Sequence, residues 1–501
     1  MRVTLINPPA LPGRFHYSAF CHPPLGLAYL AAFLRRHGHT VDVIDAVGEA
    51  IDRFVPYPLS RRFLRQGLAT EDILRRIDPK SDLIGVSCMF SHTWPLVRDL
   101  VRQIRKVLPD VPVIAGGEHP TALFDLCLRQ APLDACVLGE GEETLVEIAD
   151  ALETGRPLAA IAGIAWKDPD TGEIHQTVDR PPIAELDSLP FPAWDLIPWK
   201  AYKLYVGPAQ ARTMTMLASR GCPHGCVFCS APAMWKGVWR KRRPEAIVRE
   251  MSAYVSIEHI TEFQFLDISP LISREWIRDL CRTILARHPG IRWQMPVGGR
   301  PEVMDDDMAE MMLRSGCRHI QFAPESGSPA VLAAMNKHLD LDRFRQAVVA
   351  AKKAGMIVSA LFVIGYPTET IKDIRRTYRL IRWLAQRDVD EIAISSFVLL
   401  PGTRAFADAS AIRPVPVDDD FCYQTADATA LVPSASWNPL LGKNRLLLLK
   451  WTGLIQFHAI SLFRHPSRLP RMISNLMRGR QETKTERVLT EIIEKFRRRS
   501  F

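Results

Sequence analysis

The sequence is poor in several features that define other classes of protein. It has 10 cysteines among 501 residues, a count that does not indicate a disulfide framework and argues against a small secreted scaffold. No positively charged leader followed by an apolar core opens the chain, so we expect a cytoplasmic, reduced protein. Low-complexity runs are few and 47% of the residues are hydrophobic, which predicts packed domains. No nucleic-acid recognition motif or aromatic-basic platform is found, so no nucleic-acid partner is expected.

Net positive charge is also scarce outside the C-terminal region. Residues 441–501 hold 14 Lys and Arg against 4 Asp and Glu, so the rest of the chain is near −1 within a total of +9. An apolar run at 446–463 lies in this region, but Lys450 and His458 interrupt it, so a transmembrane span is not expected. Two interpretations stay open. The run lies peripherally on an anionic membrane surface, or it forms a helical cap with a solvated basic face.

Three of the few cysteines stand close together, at Cys222, Cys226 and Cys229. Their C-x3-C-x2-C spacing on one short loop can aim three thiolates at three irons of a four-iron, four-sulfur cluster, because thiolates are soft ligands. The fourth iron then has no nearby protein ligand. The alternatives are a structural zinc site completed by a distant Cys or His, or three unpaired core cysteines. Structural zinc prefers four ligands that arrive in pairs, so the spacing favours the iron–sulfur cluster.

This loop resembles that of the radical S-adenosylmethionine superfamily, whose open iron binds the amine and carboxylate of S-adenosylmethionine. Further runs similar to that family lie at 263–269, 319–328, 363–370 and 400–403. The resemblance implies S-adenosylmethionine contacts at Phe228, Asp267, Glu325 and Ser326. In this comparison Phe228 lies at the adenine, Asp267 receives the methionine amino group, and Glu325 with Ser326 contacts the ribose and the methionine carboxylate.

The pattern around these runs predicts a parallel α/β sheet or a partial barrel. Strands are predicted at 214–218, 263–266, 292–295, 319–322, 357–364 and 391–399. Helices are predicted between them at 244–254, 274–288, 306–315, 341–354 and 370–386. Active sites of such barrels lie at the carboxyl ends of the strands, and the cysteine loop follows the first strand as this requires.

The first 150 residues predict a doubly wound α/β domain. Its strands are predicted at 2–6, 40–45, 83–87, 113–115 and 136–138, and its helices at 24–36, 94–107 and 142–153. Ligands of such sheets bind at the carboxyl edge. The runs at this edge resemble the cobalamin-binding domain that precedes the barrel in a large subgroup of radical enzymes. The expected cobalamin contacts are Asn7, Ser87, Gly116, Gly117, His119, Gly139, Glu140, Gly141 and Glu142. A bare doubly wound domain that binds a nucleotide, or nothing, is the alternative.

One motif of many cobalamin domains is missing from the chain. An Asp-x-His-x-x-Gly run, which supplies an axial histidine to cobalt, is found nowhere in the sequence. The resemblance therefore implies cobalamin bound in a base-off form without an axial histidine. His22, His92 and His119 are interpreted as loop histidines near the corrin ring.

The sequence divides into four predicted segments. They are a cobalamin-binding domain at 1–155, a proline-rich extended connector at 156–207, a radical barrel at 208–405 and a mostly helical basic extension at 406–501. The remaining cysteines are interpreted as core residues: Cys21, Cys88, Cys127, Cys136, Cys281, Cys317 and Cys422.

Taken together, the resemblance implies an enzyme that uses a 4Fe-4S cluster, S-adenosylmethionine and cobalamin to methylate an unactivated carbon. The substrate is expected to be a small molecule (a lipid, a tetrapyrrole or a natural product), and electrons are expected from a flavodoxin- or ferredoxin-type reductant. Radical cyclisation or rearrangement without methyl transfer is the alternative, since it uses the same residues. A non-enzymatic corrinoid or metal sensor is a second alternative.

Overall fold

The computed structural model describes residues 1–14, 22–168, 170–202 and 212–479, together with positions 483, 485, 486, 489 and 490. The chain divides into two compact units. The first consists of Met1–Lys203, Val227–Val238 and Leu399–Ala426, and the second of Leu204–Cys226, Trp239–Val398 and Asp427–Phe501. Of the cysteines predicted to lie in the core, Cys21 is outside the described residues, and the other six are all buried.

Strands and helices alternate through the N-terminal part of the first unit. The strands are β1 (Arg2–Asn7), β2 (Thr40–Asp45), β3 (Phe54–Pro56), β4 (Leu64–Gln66), β5 (Leu83–Ser87), β6 (Val113–Gly116), β7 (Ala135–Val137), β8 (Ile164–Lys167) and β9 (Ile174–Gln176). The helices are α1 (Leu25–Arg36), α2 (Thr70–Arg76), α3 (Trp94–Val107), α4 (Glu118–Gln130) and α5 (Glu142–Thr154). In α3 the buried side chains include Val97, Leu100 and Ile104, whose spacing places them on one helix face.

Seven of these strands form one sheet, in the order β2-β1-β5-β6-β7-β8-β9. The pairs from β2 to β7 are parallel, and β8 and β9 add antiparallel. Each face has its own hydrophobic core. Val3 and Leu5 of β1 pack with residues of α1 and α5, whereas Ile6 packs with residues of α2, α3 and α4. Helices on both faces of a mostly parallel sheet make this the predicted doubly wound fold.

The sheet extends past the predicted boundary at residue 155. The predicted last strand is followed by β8 and β9, so part of the segment 156–207 belongs to the sheet instead of forming an extended connector. The rest of that segment includes short 3-10 turns at Leu186–Ser188, Trp194–Leu196 and Trp199–Ala201. Trp194 and Trp199 are buried there. The proline-rich run is therefore packed on the first unit.

The remaining elements follow in chain order. The strands are β10 (Thr213–Met216), β11 (Ser219–Arg220), β12 (Arg240–Lys241), β13 (Glu262–Phe265), β14 (Arg292–Gly299), β15 (Cys317–Glu325), β16 (Ile357–Ile364) and β17 (Glu391–Ser396). The helices are α6 (Ala231–Trp235), α7 (Pro244–Glu258), α8 (Arg274–Arg287), α9 (Asp306–Arg314), α10 (Pro329–Ala334), α11 (Leu341–Ala354), α12 (Ile371–Gln386), α13 (Arg404–Ile412), α14 (Asp419–Gln424), α15 (Lys443–Arg464) and α16 (Arg468–Met477).

The second unit is built on a six-stranded parallel sheet whose spatial order follows the chain, β10-β13-β14-β15-β16-β17. Each crossover contains a helix, as parallel neighbours require. The helix ends are specified locally. The Asp340 side chain accepts hydrogen bonds from the backbone at the start of α11, and Gly355 ends that helix in the left-handed conformation with φ 92°. The carboxyl ends of all six strands lie at one edge, which is the partial barrel predicted from the sequence.

The C-terminal region does not form one extension. α13 and α14 belong to the first unit, whereas α15 and α16 belong to the second. α15 packs against α12 and β17, where a Cβ on Gly453 would lie 2.6 Å from Ile394 Cδ1. The predicted boundary at residues 405 and 406 is therefore wrong as a division between packed units, although the predicted helical character is observed.

Candidate functional site

The cysteine loop leaves the first barrel strand. Cys222 and Cys226 follow β10 and β11, and Cys229 immediately precedes the Ser230 cap of α6. All three cysteines are half-buried, whereas the other described cysteines are fully buried. Three accessible thiols on one short loop form a soft donor set that fits an iron–sulfur cluster.

The turn before the cysteines is held by a buried carboxylate. Asp267, which is 0% exposed at the end of β13, accepts hydrogen bonds from the Ala218 amide at 3.1 Å and from the Ser219 hydroxyl. Burial raises the pKa of Asp267 to about 6, and the bonds from Ser219 and Ala218 oppose that shift. The sequence placed Asp267 at the methionine amino group. In the structure, both carboxylate oxygens of Asp267 accept hydrogen bonds from the turn that leads into the cysteine loop. They reach this turn because β10 and β13 are parallel neighbours.

A second segment of the same unit holds the loop from the other side. The Asn336 side-chain amide donates a hydrogen bond of 2.7 Å to the Gly225 carbonyl. Asn336 and His338 have φ of 52° and 37°, and non-glycine residues rarely adopt these left-handed values unless the surroundings impose them. Segment 335–338 is thus a strained turn that contacts the loop between two of the cysteines.

An ion pair that the sequence did not predict lies beside this turn. Lys337 Nζ is 2.8 Å from Glu325 Oε1, and both side chains are 9% exposed. Burial disfavours the Lys337 ammonium, but Glu325 outweighs burial and holds the pKa of Lys337 above its ordinary value. Arg300 donates to the carbonyl oxygens of Lys337 at 2.8 Å and His338 at 2.6 Å. The charged groups at this strand edge therefore converge on segment 335–338.

These charges act on the cysteine loop. Burial raises the pKa of the Cys226 thiol; Lys337 and Arg300 oppose that shift, and Glu325 adds to it. Burial also lowers the pKa of His224, with Arg300 contributing in the same direction. The two cations favour a thiolate at Cys226, which is the form that binds iron.

The Glu-Ser-Gly turn after β15 is fixed to helix α12. Glu325 has φ 60°, and Ser326 is fully buried with its hydroxyl 3.2 Å from that of Thr377. A Cβ on Gly327 would lie 2.6 Å from the Arg376 carbonyl oxygen, so glycine is required by close approach. Ser326 is therefore held against α12 through Thr377, and its contact with S-adenosylmethionine, like that of Glu325, stays a prediction. Phe228 is half-buried beside Cys229 in the first unit.

A glycine-lined edge forms the candidate ligand site of the first unit. Gly117 has φ 115°, and a Cβ there would lie 2.7 Å from the Cys88 carbonyl oxygen. Gly139 has φ 77° and donates its amide to the Thr121 hydroxyl at 3.0 Å. Ser87, Gly116 and Gly117 lie at the ends of β5 and β6, where parallel neighbours bring them together. Backbone without side chains at this edge leaves room for a large ligand.

His119 carries a buried polar atom without a partner. It lies in the first turn of α4, not in a loop as predicted, and is 2% exposed. Its Nδ1 is 3.0 Å from the Ser91 hydroxyl, while Nε2 is buried with no hydrogen-bond partner among the described residues. Burial lowers the pKa of His119 to about 3, so the imidazole is neutral at pH 7. An unpaired neutral nitrogen at the glycine-lined edge fits a ligand such as cobalamin.

The other predicted cobalamin contacts are tied more closely to the scaffold. Asn7 donates to Asp45 Oδ1 at 2.8 Å, and Glu140 accepts the Ile183 amide at 2.6 Å. Gly141 caps α5, and Glu142 begins that helix. These four residues lie at the predicted sheet edge, but Asn7 and Glu140 support the loops around it.

Comparison with known proteins agrees with both units. A B12 binding domain model matches residues 14–149, and a radical SAM superfamily model matches residues 216–381. An uncharacterised methyltransferase of Pyrococcus horikoshii is 30% identical over 408 residues, which is 81% of this chain and 82% of that protein. The chain belongs to the cobalamin-binding radical S-adenosylmethionine family. Its cofactors are accordingly a 4Fe-4S cluster, S-adenosylmethionine and cobalamin.

Other relatives of this radical enzyme differ in their reactions. The anaerobic magnesium-protoporphyrin IX monomethyl ester cyclase of Rubrivivax gelatinosus is 29% identical over 365 residues, which is 72% of this chain and 62% of the cyclase. The methyltransferase TsrM from Kitasatospora setae, solved with cobalamin and a [4Fe-4S] cluster, superposes with a TM-score of 0.65 over 83% of this chain and 79% of TsrM. At 18% identity the match to TsrM shows a shared fold. The chain is a methyltransferase-like radical enzyme, and its relatives include both outcomes.

Sequence reasoning missed Lys337, Arg300 and Asn336 in the radical enzyme's site. None of them ends a predicted strand, and none stands in a run similar to the family. Lys337 follows Glu325 by 12 positions across a short helix, so only the folded turn brings them together.

Proposed function

We propose that this protein is a C-methyltransferase that acts on an unactivated carbon of a lipid, tetrapyrrole or natural-product molecule. One observation carries the proposal. In the second unit, the cysteine loop is hydrogen-bonded through Gly225 to the strained turn that also supplies Lys337 to Glu325. A metal-ligand loop and a charged strand end are thus held by the same short segment.

The roles of the residues follow from their contacts. When bound, the cluster and S-adenosylmethionine supply a carbon-centred radical, and cobalamin supplies the methyl group. Cys222, Cys226 and Cys229 hold the cluster, and Asp267 fixes the turn before them. Glu325 receives the polar end of S-adenosylmethionine, and Lys337 orients the Glu325 carboxylate. In the first unit, backbone at Gly117 and Gly139 would line the site that holds cobalamin.

We also infer the setting in which the enzyme works. Cleavage of S-adenosylmethionine requires single electrons. A flavodoxin- or ferredoxin-type protein, which supplies one electron at a time, is therefore the expected donor. The proposed location is the cytoplasm, with peripheral membrane contact through the basic C-terminal region. The three half-buried cysteines of the metal loop must stay reduced to bind iron, which supports a reducing compartment.

The cluster assignment is tested by Cys226→Ala. The reconstituted variant should lose its iron–sulfur signal in electron paramagnetic resonance and form no 5′-deoxyadenosine, because two thiols hold a cubane poorly. Cobalamin binding should stay unchanged, since its residues lie on another sheet. Cys281→Ala, at a buried cysteine of α8, is the matched control and should keep a full cluster. Retained S-adenosylmethionine cleavage in Cys226→Ala would refute the assigned loop.

Methyl transfer is tested by the products of the active enzyme under anaerobic conditions. Each methylated product should appear with one 5′-deoxyadenosine and one S-adenosylhomocysteine, since the second S-adenosylmethionine replaces the methyl group used. Oxidative cyclisation is the second candidate, favoured by the 29% identity to the Rubrivivax cyclase. It predicts 5′-deoxyadenosine with no matching S-adenosylhomocysteine and a product without added carbon.

A further inference from the structure

Helices α15 and α16 display apolar side chains to solvent. The exposed fractions are 66% for Leu448, 40% for Trp451, 63% for Ile455, 41% for Leu462, 85% for Phe463, 46% for Leu469, 48% for Ile473 and 84% for Met477. On α15 the first four stand at i, i+3, i+7 and i+14, so they share one helix face. We call these eight side chains the apolar face. Several large apolar side chains exposed on one helix face, as on α15, mark a docking site in a folded protein.

The opposite side of α15 is fixed to the second unit, which orients the apolar face outward. Leu446, Gly453 and Phe457 are buried, and the Leu449 carbonyl accepts the Tyr378 hydroxyl at 2.6 Å. Near the other end of α15, the Ser461 hydroxyl accepts a hydrogen bond from Arg468, the first residue of α16, whose guanidinium also lies 2.6 Å from Asp388, which precedes β17. α15 is therefore attached at both ends, and its exposed residues do not belong to the core of the unit.

The charged residues of the segment that contains both helices have one sign. Residues 428–481 contain eight Lys and Arg and no Asp or Glu. Asp388 and Asp390, from outside this segment, pair with Arg468 and Arg471 of α16. Arg445, Arg464 and Arg478 are exposed at the helix ends that border the apolar face. An apolar strip with basic margins of this kind is complementary to a bilayer whose headgroups are anionic.

By length and composition, α15 is also the one helix among the described residues that could cross a membrane. Its most apolar 18 residues have a mean hydropathy of 1.4, and 33% of them are buried. Its packing argues against that position. Lys450 is 1% exposed in the middle of the helix and donates to the Ala430 carbonyl at 2.6 Å. A helix that crossed the bilayer would lose this bond and its contacts with α12 and β17.

We propose that the apolar face docks this protein on an anionic membrane, with α15 and α16 lying in the plane of the interface. Leu448, Ile455 and Phe463 enter the acyl boundary, and the bordering arginines contact lipid phosphates. The inference does not depend on the reaction catalysed. Leu446 packs on Gly365 at the end of β16, so docking places the interface near one end of the barrel's catalytic edge.

The test is flotation of the full-length, cofactor-loaded protein with phosphatidylcholine vesicles that contain or lack phosphatidylglycerol. We expect binding to the anionic vesicles that weakens with added salt, and little binding to the neutral vesicles. The double variant Leu448→Glu with Ile455→Glu should reduce binding by at least about tenfold. Ile257→Glu, at a 74% exposed position on α7, is the matched control and should bind like the wild type.

A second variant keeps the test informative if the double variant folds poorly. Arg464→Gln with Arg478→Gln should weaken binding to anionic vesicles by about three- to tenfold, while cluster content stays unchanged. Equal binding by all variants, or no flotation with either vesicle, would overturn the proposal. A concentration-dependent dimer that Ile455→Glu disrupts, seen by light scattering without vesicle binding, would also overturn it and assign the face to a second copy of the chain.

Discussion

At the scale of single residues, the pair Glu325 and Lys337 determines how the barrel edge meets the cysteine loop. Both side chains are 9% exposed, so each charge depends on the other. Removing one partner of such a pair leaves a buried charge without compensation and costs about 3–5 kcal/mol. Both charges of the pair act on the pKa of the Cys226 thiol, so the proposed cluster and S-adenosylmethionine sites are expected to depend on it.

We therefore expect Lys337→Met to lower the melting temperature and to weaken S-adenosylmethionine binding by at least about tenfold. The Glu325 carboxylate would protonate or turn away, because its ion-pair partner is removed. Calorimetric titration of the anaerobic, reconstituted variant measures the affinity. Lys353→Met is the control, since its pair with Asp306 is exposed at 70% and 58% and should contribute less than about 1 kcal/mol.

The double variant Glu325→Gln with Lys337→Met separates stability from binding. It should recover most of the melting temperature, since no charge is left buried, while S-adenosylmethionine binding stays weak. Wild-type affinity in Lys337→Met would show that the pair only stabilises the fold, and Glu325 would lose its assigned role.

The residue scale also shows where sequence reasoning stops. The cysteines were identified by their spacing, and Glu325 by the run that contains it, because both are local properties. Asp267 was located correctly at a strand end, but its partners Ala218 and Ser219 lie nearly 50 residues away. Hydrogen bonding across parallel neighbours decides what such a carboxylate does, and no local pattern records it.

At the scale of elements, the best predictions have strong end signals. β16 was predicted at its observed bounds because an apolar run lies between Gly355 and Gly365, which both have positive φ. Helix α4 was missed because its first turn, at Gly117–Pro120, has the composition of a strand-edge loop, and Leu123 interrupts its helical dihedrals with φ −138°. β8 and β9 were missed because β8 pairs antiparallel with β7, and β9 antiparallel with β8, which departs from the preceding alternation of strands and helices.

Lys450 makes the packing of α15 testable at this scale. Burial lowers its pKa to about 8 from 10.5, so the folded state disfavours the ammonium. Between pH 8 and 10.5 the unfolded chain holds the proton and the folded chain does not, and stability therefore rises with pH by up to about 3 kcal/mol. Lys450→Met should remove this rise and be more stable than the wild type at pH 7.

Thermal unfolding of both proteins from pH 7 to pH 10 measures the difference. Lys443→Met, at the exposed start of the same helix, is the control and should keep the wild-type pH profile. Parallel profiles for the wild type and Lys450→Met would show that Lys450 is solvated and that α15 does not pack as described.

At the scale of the whole molecule, the chain contributes to the first unit three times. Residues 399–426 were predicted to lie partly in the barrel and partly in a C-terminal extension, yet they pack on the N-terminal sheet domain. Cys422 belongs to the core formed with α3 and α4, and Tyr423 packs with Tyr57 and Phe63. Contacts separated by more than 300 positions leave no periodic signal in the sequence, so neither the boundary nor the partner could be predicted.

This return of the chain predicts a specific effect of a distant substitution. Arg98 on α3 donates two hydrogen bonds to Asp419, at 2.7 and 2.8 Å, across 321 positions. Because the guanidinium is 13% exposed, Arg98→Ala removes both the ion pair and the packing of the side chain. The substitution should lower the free energy of local unfolding of α14 by about 1 kcal/mol. Amides of residues 418–426 should then exchange hydrogen about fivefold faster, whereas those of the second unit should not change.

The matched control is Arg129→Ala, whose pair with Asp125 is exposed at 66% and 54% and lies within α4. Its amides at 418–426 should exchange as in the wild type. If Arg98→Ala also left that exchange unchanged, Arg98 would not anchor α14. Acceleration spread over the second unit would mean that residues 399–426 stabilise the barrel. A local effect is expected because bidentate bonds and a shared core attach this segment to α3, and these contacts outweigh its position in the chain after the last barrel strand.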